Sequence, residues 1–332
     1  MRKKLISIVS GCYNEEENLP IYYEAVSGIM DSLPEYDFEC LIADNCSKDR
    51  SPEILEEIAA KDARFKIVFN LKNYGPDRSG ANLFYMAKGD AVINLASDLQ
   101  DPPEMIPVFL EKWEEGNKLV WAQRSKTQER GMMEMVRKLY YRIIRMISES
   151  EEIERANGFG LYDREVVDWI KKAGDPVPFI RNLVTDLGYR PYLVPYERRA
   201  RTRGKSSYNF FRYMNDALGG MVATSRVPLR MATYLGFVTA GVSFLIALIY
   251  LVYKLTHWYS FDAGMAPVMI GLFFLGAVQL ICIGIVGEYI GDILTRVKHR
   301  PMVIARKTLN FEAEEREDEF VGNSAERERA VV

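Results

Sequence analysis

Cysteine is scarce in this 332-residue chain: Cys12, Cys40, Cys46 and Cys282 share no paired spacing, and Cys282 lies inside an apolar run. That pattern excludes a disulfide scaffold and a cysteine-based zinc site. Histidine is scarcer, and neither His257 nor His299 lies near an acidic cluster, so neither is assigned a metal. No GxGxxG follows the first apolar stretch, and neither GxxxxGKS nor GxxxxGKT occurs, so dinucleotide-binding and P-loop readings lose support. Net charge is also small, −3 overall, and the mean hydropathy of −0.13 is that of a soluble enzyme. With 48% hydrophobic and 27% charged residues, the chain is neither disordered nor collagenous.

The averages hide two stretches that lack charge altogether, 231–253 and 263–287. As helices each would run roughly 35 Å, enough to cross a bilayer core of about 30 Å. Buried core helices are the alternative, but both stretches exceed the length typical of that class. Nine basic residues against two acids lie between positions 190 and 230, just before the first stretch. Arg296, Lys298, Arg300, Arg306 and Lys307 follow the second. The loop between them, KLTHWYSFDAG, carries one Lys and one Asp, with Trp258 and Tyr259 as interfacial anchors. Positive residues mark the cytoplasmic side, so the expectation is a multi-pass plasma-membrane or inner-membrane protein with both termini cytoplasmic. Gly271, Gly276, Gly284, Gly287 and Gly291 in the second stretch permit close helix packing and a homo-oligomer. Glu288 and Asp292, near its end, read as interfacial. The segment 311–332, with eight acids and three bases, reads as a disordered tail.

The N-terminus begins with Arg2, Lys3 and Lys4, but its apolar stretch is too short for a secretion signal and reads as a first strand. LISIVSG, FECLIADN, FKIVF, AVINLAS and KLVWAQR read as strands, separated by amphipathic helices. The alternation implies an α/β fold with a mainly parallel sheet covered on both faces, where ligands sit at the carboxyl ends of strands. Polar groups cluster there: Tyr13, Asn14 and Glu15 after the first strand, Asp44 and Asn45 after the second, Asp98, Gln100 and Asp101 after the fourth. Each acid singly reads equally as a helix cap. At successive strand ends they read together as a nucleotide site, with hard oxygens suited to a divalent cation on phosphates.

Four blocks in this order resemble the family 2 glycosyltransferases of GT-A fold, specifically the polyprenyl-phosphate glycosyltransferases. These are CYNEEENL, IADNCSKD, SDLQDPPE and RTRGKSSY, followed by the two apolar stretches. The family includes bactoprenol glucosyltransferases and dolichol-phosphate mannose synthases. The resemblance implies that Tyr13, Asn14, Glu15, Asp44, Asn73 and Gly75 hold the nucleotide, and that Asp98 and Gln100 meet Mg²⁺ or Mn²⁺ and the diphosphate. It assigns catalytic roles to Asp98, Asp101, Arg124 and Arg201, and lipid-phosphate or diphosphate contacts to Arg201, Arg203 and Ser206. Arg201 reads equally as a membrane-surface charge. Two departures stand out. Ala43 and Ala96 occupy positions where the family usually carries Asp. NGFGL places Gly158 and Gly160 where many relatives have Asp and Arg, which points to an altered sugar pocket.

The expected layout is a transferase domain over 1–207, an amphipathic segment over 208–228, and a two-helix anchor over 229–294. The anchor's spans are 231–253 and 264–288, followed by a basic juxtamembrane segment over 295–310 and the tail. A packed linker helix is the other reading of 208–224, and Met132, Met133 and Met135 read as core or lipid contacts. The expected partners are a nucleotide sugar, chiefly a UDP-sugar, a polyprenyl phosphate and membrane lipids, with no nucleic acid. The resemblance implies inverting transfer at the cytoplasmic face. A processive polysaccharide synthase is disfavoured because no QxxRW-like sequence follows and two spans leave little room for a polymer channel. An inactive nucleotide-sugar-binding scaffold is the competitor from another class, motivated by Ala96 and Gly158.

Overall fold

The computed structural model describes residues 2–125, 153, 156–176, 178–197, 226–257, 265–298 and 300–311. Three strands, β1 (Lys4–Cys12), β2 (Tyr36–Asp44) and β3 (Phe65–Asn70), are apolar runs buried along most of their length. Such runs suit strands covered on both faces. Helices α1 (Leu19–Ser32), α2 (Ser51–Lys61) and α3 (Pro76–Met86) each carry Pro in the first turn, where the missing N–H costs no helical bond. Then come β4 (Ala91–Asn94), a 3-10 turn at Pro103–Met105, α4 (Ile106–Glu114) and β5 (Leu119–Arg124).

Beyond the elements legible in sequence lie β6 (Ala156–Asp163), α5 (Arg164–Ala173), α6 (Ile180–Asp186) and β7 (Tyr192–Tyr196). The start of α5 follows the usual capping logic, with the Asp163 carboxylate accepting from the Glu165 N–H at 2.9 Å. Two long helices follow, α7 (Val227–Thr256) and α8 (Met265–Val297), and then a last strand, β8 (Ala305–Leu309).

All eight strands form one sheet in the order β7-β5-β6-β4-β1-β2-β3-β8. Pairs β1–β2, β1–β4, β2–β3 and β5–β7 are parallel, while β6 is antiparallel to both its neighbours and β8 is antiparallel to β3. Six strands therefore run one way and two run against them. One face packs Ile6, Ile8, Tyr22 and Phe65, and the other packs Val9, Leu41, Phe84 and Trp121. In the sheet β6 lies between β4 and β5, so that part of an otherwise mainly parallel sheet is antiparallel.

The chain divides into two compact units, one of 1–128, 153–207 and 299–332, the other of 129–152 and 208–298. Within the second unit α7 and α8 pack on each other, and the Cys282 thiol reaches the Ala232 carbonyl at 3.7 Å. Both are long and apolar enough to cross a membrane, with candidate spans Val227–Tyr253 and Ile270–Val297. Large apolar side chains point outward, Phe237 at 73% and Phe273 at 70% exposure, an arrangement that water penalises and acyl chains do not. The helices exceed the spans expected from sequence. Glu288 and Asp292 lie within α8, where Asp292 accepts from Arg296 Nε at 2.8 Å. The segment expected to be basic and juxtamembrane, 295–310, includes the last turn of α8 and the edge strand β8.

Candidate active site

The parallel strands bring their carboxyl ends to one edge of the sheet, and backbone strain collects there. Asn14 after β1, Cys46 after β2 and Leu99 after β4 all hold left-handed backbone, at φ 56°, 65° and 55°. Asn tolerates this backbone, but at Cys46 and Leu99 it costs about 1–2 kcal/mol, and such strain is characteristic of functional sites. Hydrogen bonds between the strand ends hold it in place. The Asn14 N–H donates to Ser47 Oγ at 2.9 Å, and Asn14 Oδ1 accepts from the Lys48 N–H at 2.8 Å. The Glu15 N–H donates to Ser51 Oγ at 2.9 Å, while its carboxylate accepts from Asn18 Nδ2 at 2.5 Å. Tyr13 is half-buried beside them.

Asp44 ends β2 with no exposure to solvent. Its carboxylate accepts from the Ser47 N–H at 3.1 Å and faces an Arg306 Nη2 at 3.9 Å. Beneath it, burial and then the charge of Asp44 push the Cys12 thiol up, so it stays protonated. The next residue, Asn45, ties the ends of β2 and β3 together. Its Oδ1 accepts from Asn70 Nδ2 at 3.1 Å and the Tyr74 N–H at 2.9 Å, and its Nδ2 donates to Asn73 Oδ1 at 3.0 Å. Asn73 in turn accepts from the Gly75 N–H at 2.9 Å. Gly75 stands at φ +86°, so a side chain there would be strained even in open space. Sequence placed Asp44 and Asn45 together after the second strand, and in the structure Asn45 links that strand end to Asn73 and, through it, to Gly75.

On the other side of β1, Asp98 and Gln100 are half-buried, with the Gln100 N–H donating to Asp98 Oδ1 at 3.2 Å. Among the described residues no group of three His, Cys, Asp or Glu side chains forms a metal cage. One carboxylate and one amide oxygen nevertheless fit Mg²⁺ or Mn²⁺, which commonly take one or two carboxylates and fill the shell with substrate phosphates and water.

Asp101 is 3% exposed and its oxygens are engaged, one by the Tyr196 hydroxyl and one by Asn157 Nδ2 at 3.0 Å. Arg124 Nε donates to the same Tyr196 oxygen at 3.4 Å. Burial and the Asp101 carboxylate push the Tyr196 phenol up to about 12, against the opposing pull of Arg124, so it remains a donor. The structure thus joins Asp101 and Arg124 through Tyr196, which no spacing rule flags because it lies 95 residues from Asp101. Tyr196→Phe leaves a buried carboxylate oxygen without a partner. It should cost about 1–3 kcal/mol, read as a fall of several degrees in the thermal midpoint of the detergent-solubilised chain.

Gly158 and Gly160 each hold a backbone that a side chain would strain. A Cβ on Gly160 would stand 2.1 Å from the Val120 carbonyl oxygen, and Gly158 holds φ +83° with the Tyr162 hydroxyl 3.2 Å from its Cβ position. The sugar-pocket role read from sequence is not needed to explain Gly160. Arg201, Arg203 and Ser206, with the segment 208–224, the anchors Trp258 and Tyr259 and the acidic tail beyond Phe311, lie outside the described residues.

Comparison with known proteins agrees with this layout. Residues 7–169 match the family described as "Glycosyl transferase family 2", and residues 227–293 match "GtrB C-terminal hairpin". The chain is 34% identical over 307 residues to the "Uncharacterized glycosyltransferase YkcC" of Bacillus subtilis, covering 92% of this chain and 94% of the relative. It is 34% identical over 304 residues to the "Bactoprenol glucosyl transferase" of Shigella phage SfII, covering 91% of this chain and 98% of the relative. Among solved structures, a mannosyltransferase from Pyrobaculum calidifontis matches 90% of this chain and 88% of its own at 14% identity, with a TM-score of 0.44.

Proposed function

The chain belongs to glycosyl transferase family 2 and is a glycosyltransferase, and from that premise we propose that it moves a sugar from a UDP-sugar to a polyprenyl phosphate at the cytoplasmic membrane face. The observation that carries the acceptor is the union of a family 2 domain with a two-helix hairpin, over nearly the full length of relatives named for bactoprenol. Such a hairpin keeps the site beside an acceptor that itself never leaves the bilayer. The basic residues flanking both helices support cytoplasmic termini and contact with anionic headgroups.

Each residue has a chemical task in this reading. The buried Asp44 carboxylate accepts an N–H from the base, while Tyr13, Asn14, Glu15, Asn73 and Gly75 shape the nucleoside pocket around it. Asp98 and Gln100 would hold Mg²⁺ or Mn²⁺, which neutralises charge on the departing diphosphate. Arg124, with Arg201, Arg203 and Ser206, supplies donors to phosphate oxygens, a geometry that guanidinium groups match. Asp101 acts as a positioning residue, because its oxygens already hold Tyr196 and Asn157 and Tyr196 in turn meets Arg124.

No protein base is required for the acceptor. A lipid phosphomonoester with a second pKa of about 6 is mostly dianionic at neutral pH. Its oxygen attacks the anomeric carbon from the face opposite the leaving group, the C–O bond to the diphosphate breaks, and the configuration inverts. Alignment and charge neutralisation then carry the rate.

The purified full-length chain, incubated with undecaprenyl phosphate, Mg²⁺ or Mn²⁺ and a panel of radiolabelled nucleotide sugars, should yield one mild-acid-labile labelled lipid, with a uridine donor. Nucleotide binding without lipid product across the panel would sink the reading in favour of a scaffold. Label retained as polymer would favour a processive synthase.

A further inference from the structure

The last described strand returns to the nucleotide end of the sheet. β8 pairs antiparallel with β3, matching Phe69 with Lys307 and Asn70 with Ala305. One step along β3 thus meets two steps along β8, and the residue left over is Arg306. A bulge of this kind re-aims a side chain at a sheet edge. The Arg306 guanidinium consequently lies 5.6 Å from the centre of the Phe69 ring and extends toward Asp44, the Cα partner of Phe69 on β2. The strand is firmly seated. The Leu71 N–H donates to the Ile304 carbonyl at 2.9 Å, Lys307 pairs with Glu56 at 2.8 Å, and Asn310 Nδ2 donates to the Ala59 and Phe65 carbonyls at 2.7 and 2.8 Å.

Arg306 Nη2 stands 3.9 Å from Asp44 Oδ2, which is attraction without a hydrogen bond. Among the described residues the Arg306 side chain makes no hydrogen bond, and the Asp44 carboxylate accepts only from the Ser47 N–H. An acceptor closed to solvent and an exposed donor fork therefore lie side by side at the nucleotide end of the sheet, each with hydrogen-bonding capacity left. An acceptor beside a donor complements a base edge on which an N–H adjoins a carbonyl, as N3–H and O4 do in uracil. Cytosine reverses both groups at those positions.

We propose that Arg306 is a donor-recognition residue, pairing with Asp44 to read the uracil edge of the sugar nucleotide. The inference rests on the uridine-donor reading above and adds that part of the donor site is supplied by chain lying beyond the membrane hairpin. A matched pair of this kind typically separates right from wrong base by about 10- to 100-fold.

Binding of UDP and CDP to the full-length detergent-solubilised chain, by calorimetry, tests it. The wild type should prefer UDP by about tenfold or more. Arg306→Gln should weaken UDP by a similar factor, raise the donor KM with kcat largely kept, and bring the UDP-to-CDP ratio near one at an unchanged thermal midpoint. Arg306→Lys, which keeps charge and stem but loses the fork, should lose the base preference too and serves if the first variant folds poorly. Lys307→Gln, whose cation is committed to Glu56, should bind like the wild type. A UDP affinity and base preference unaltered in both Arg306 variants would overturn the inference while leaving the uridine-donor reading intact. A wild type that binds another nucleoside diphosphate and not UDP would overturn both.

Discussion

Asp98→Ala should lower sugar transfer by about 10²- to 10³-fold, the scale of removing one preorganised group that meets charge developing on a leaving group. Single-turnover transfer of labelled sugar to lipid, at saturating donor, measures it. The effect is large because, among the described residues, the other acids at these strand ends are committed elsewhere. Ala96, two residues before Asp98, where the resemblance to family 2 implies a carboxylate, offers no ligand. Asp101 is only three residues on, but its oxygens are bonded to Tyr196 and Asn157 and it is almost wholly buried. Asp44 lies across β1 at the nucleoside end, without solvent exposure. The substitution should leave the thermal midpoint nearly unchanged, since Asp98 is half-buried and its internal bond is one turn contact, from the Gln100 N–H at 3.2 Å. Asp98→Asn keeps one oxygen and should fall between the two. A near wild-type rate in Asp98→Ala would remove Asp98 from the site, and with it the placement of the divalent cation.

The parts of this site that sequence revealed are those whose signal is local. CYNEEEN, IADN and SDLQD each follow an apolar strand within a few residues, so Asn14, Asp44 and Asp98 could be placed at strand ends by counting. What escaped depends on distant pairing. NGFGL is β6, but two glycines and an exposed Asn157 disguise a strand whose stability comes from β4 and β5 on either side. β8 is five residues, ARKTL, whose charges read as juxtamembrane; it is a strand because β3 offers it an unpaired edge. Tyr196 and Arg306 reach the site only through β7 and β8, so both were invisible until the sheet order was known. The left-handed backbone at Cys46 and Leu99 has no signature in residue type, because neither is a residue that favours it.

Gly160→Ala should strongly destabilise the transferase domain's sheet. The new Cβ would lie 2.1 Å from the Val120 carbonyl oxygen, 2.8 Å from Trp121 Cα and 3.0 Å from Trp121 Cδ1. Two of these are backbone atoms of β5, so no rotamer change relieves them. Nor can β5 retreat, because β7 is hydrogen-bonded along its other side from Val120 to Arg124. The neighbouring β4 pairs with β6 through the same residue, Asn94 opposite Gly160, which blocks escape the other way. Overpacking with no room to yield costs about 3 kcal/mol or more. At 2–4 °C per kcal/mol for a domain of this size, the thermal midpoint should fall by roughly 10 °C. Gly158→Ala is the internal contrast: its φ of +83° costs about 1–2 kcal/mol, while its nearest neighbour, the Tyr162 hydroxyl at 3.2 Å, ends a side chain and can shift. Thermal melts of both variants beside a donor screen separate the two explanations of NGFGL. A glycine kept for sheet packing gives a large loss of stability in Gly160→Ala with donor choice unchanged in the fraction that folds. A glycine kept for the sugar gives a stable variant with a different donor, and that result would refute the packing account.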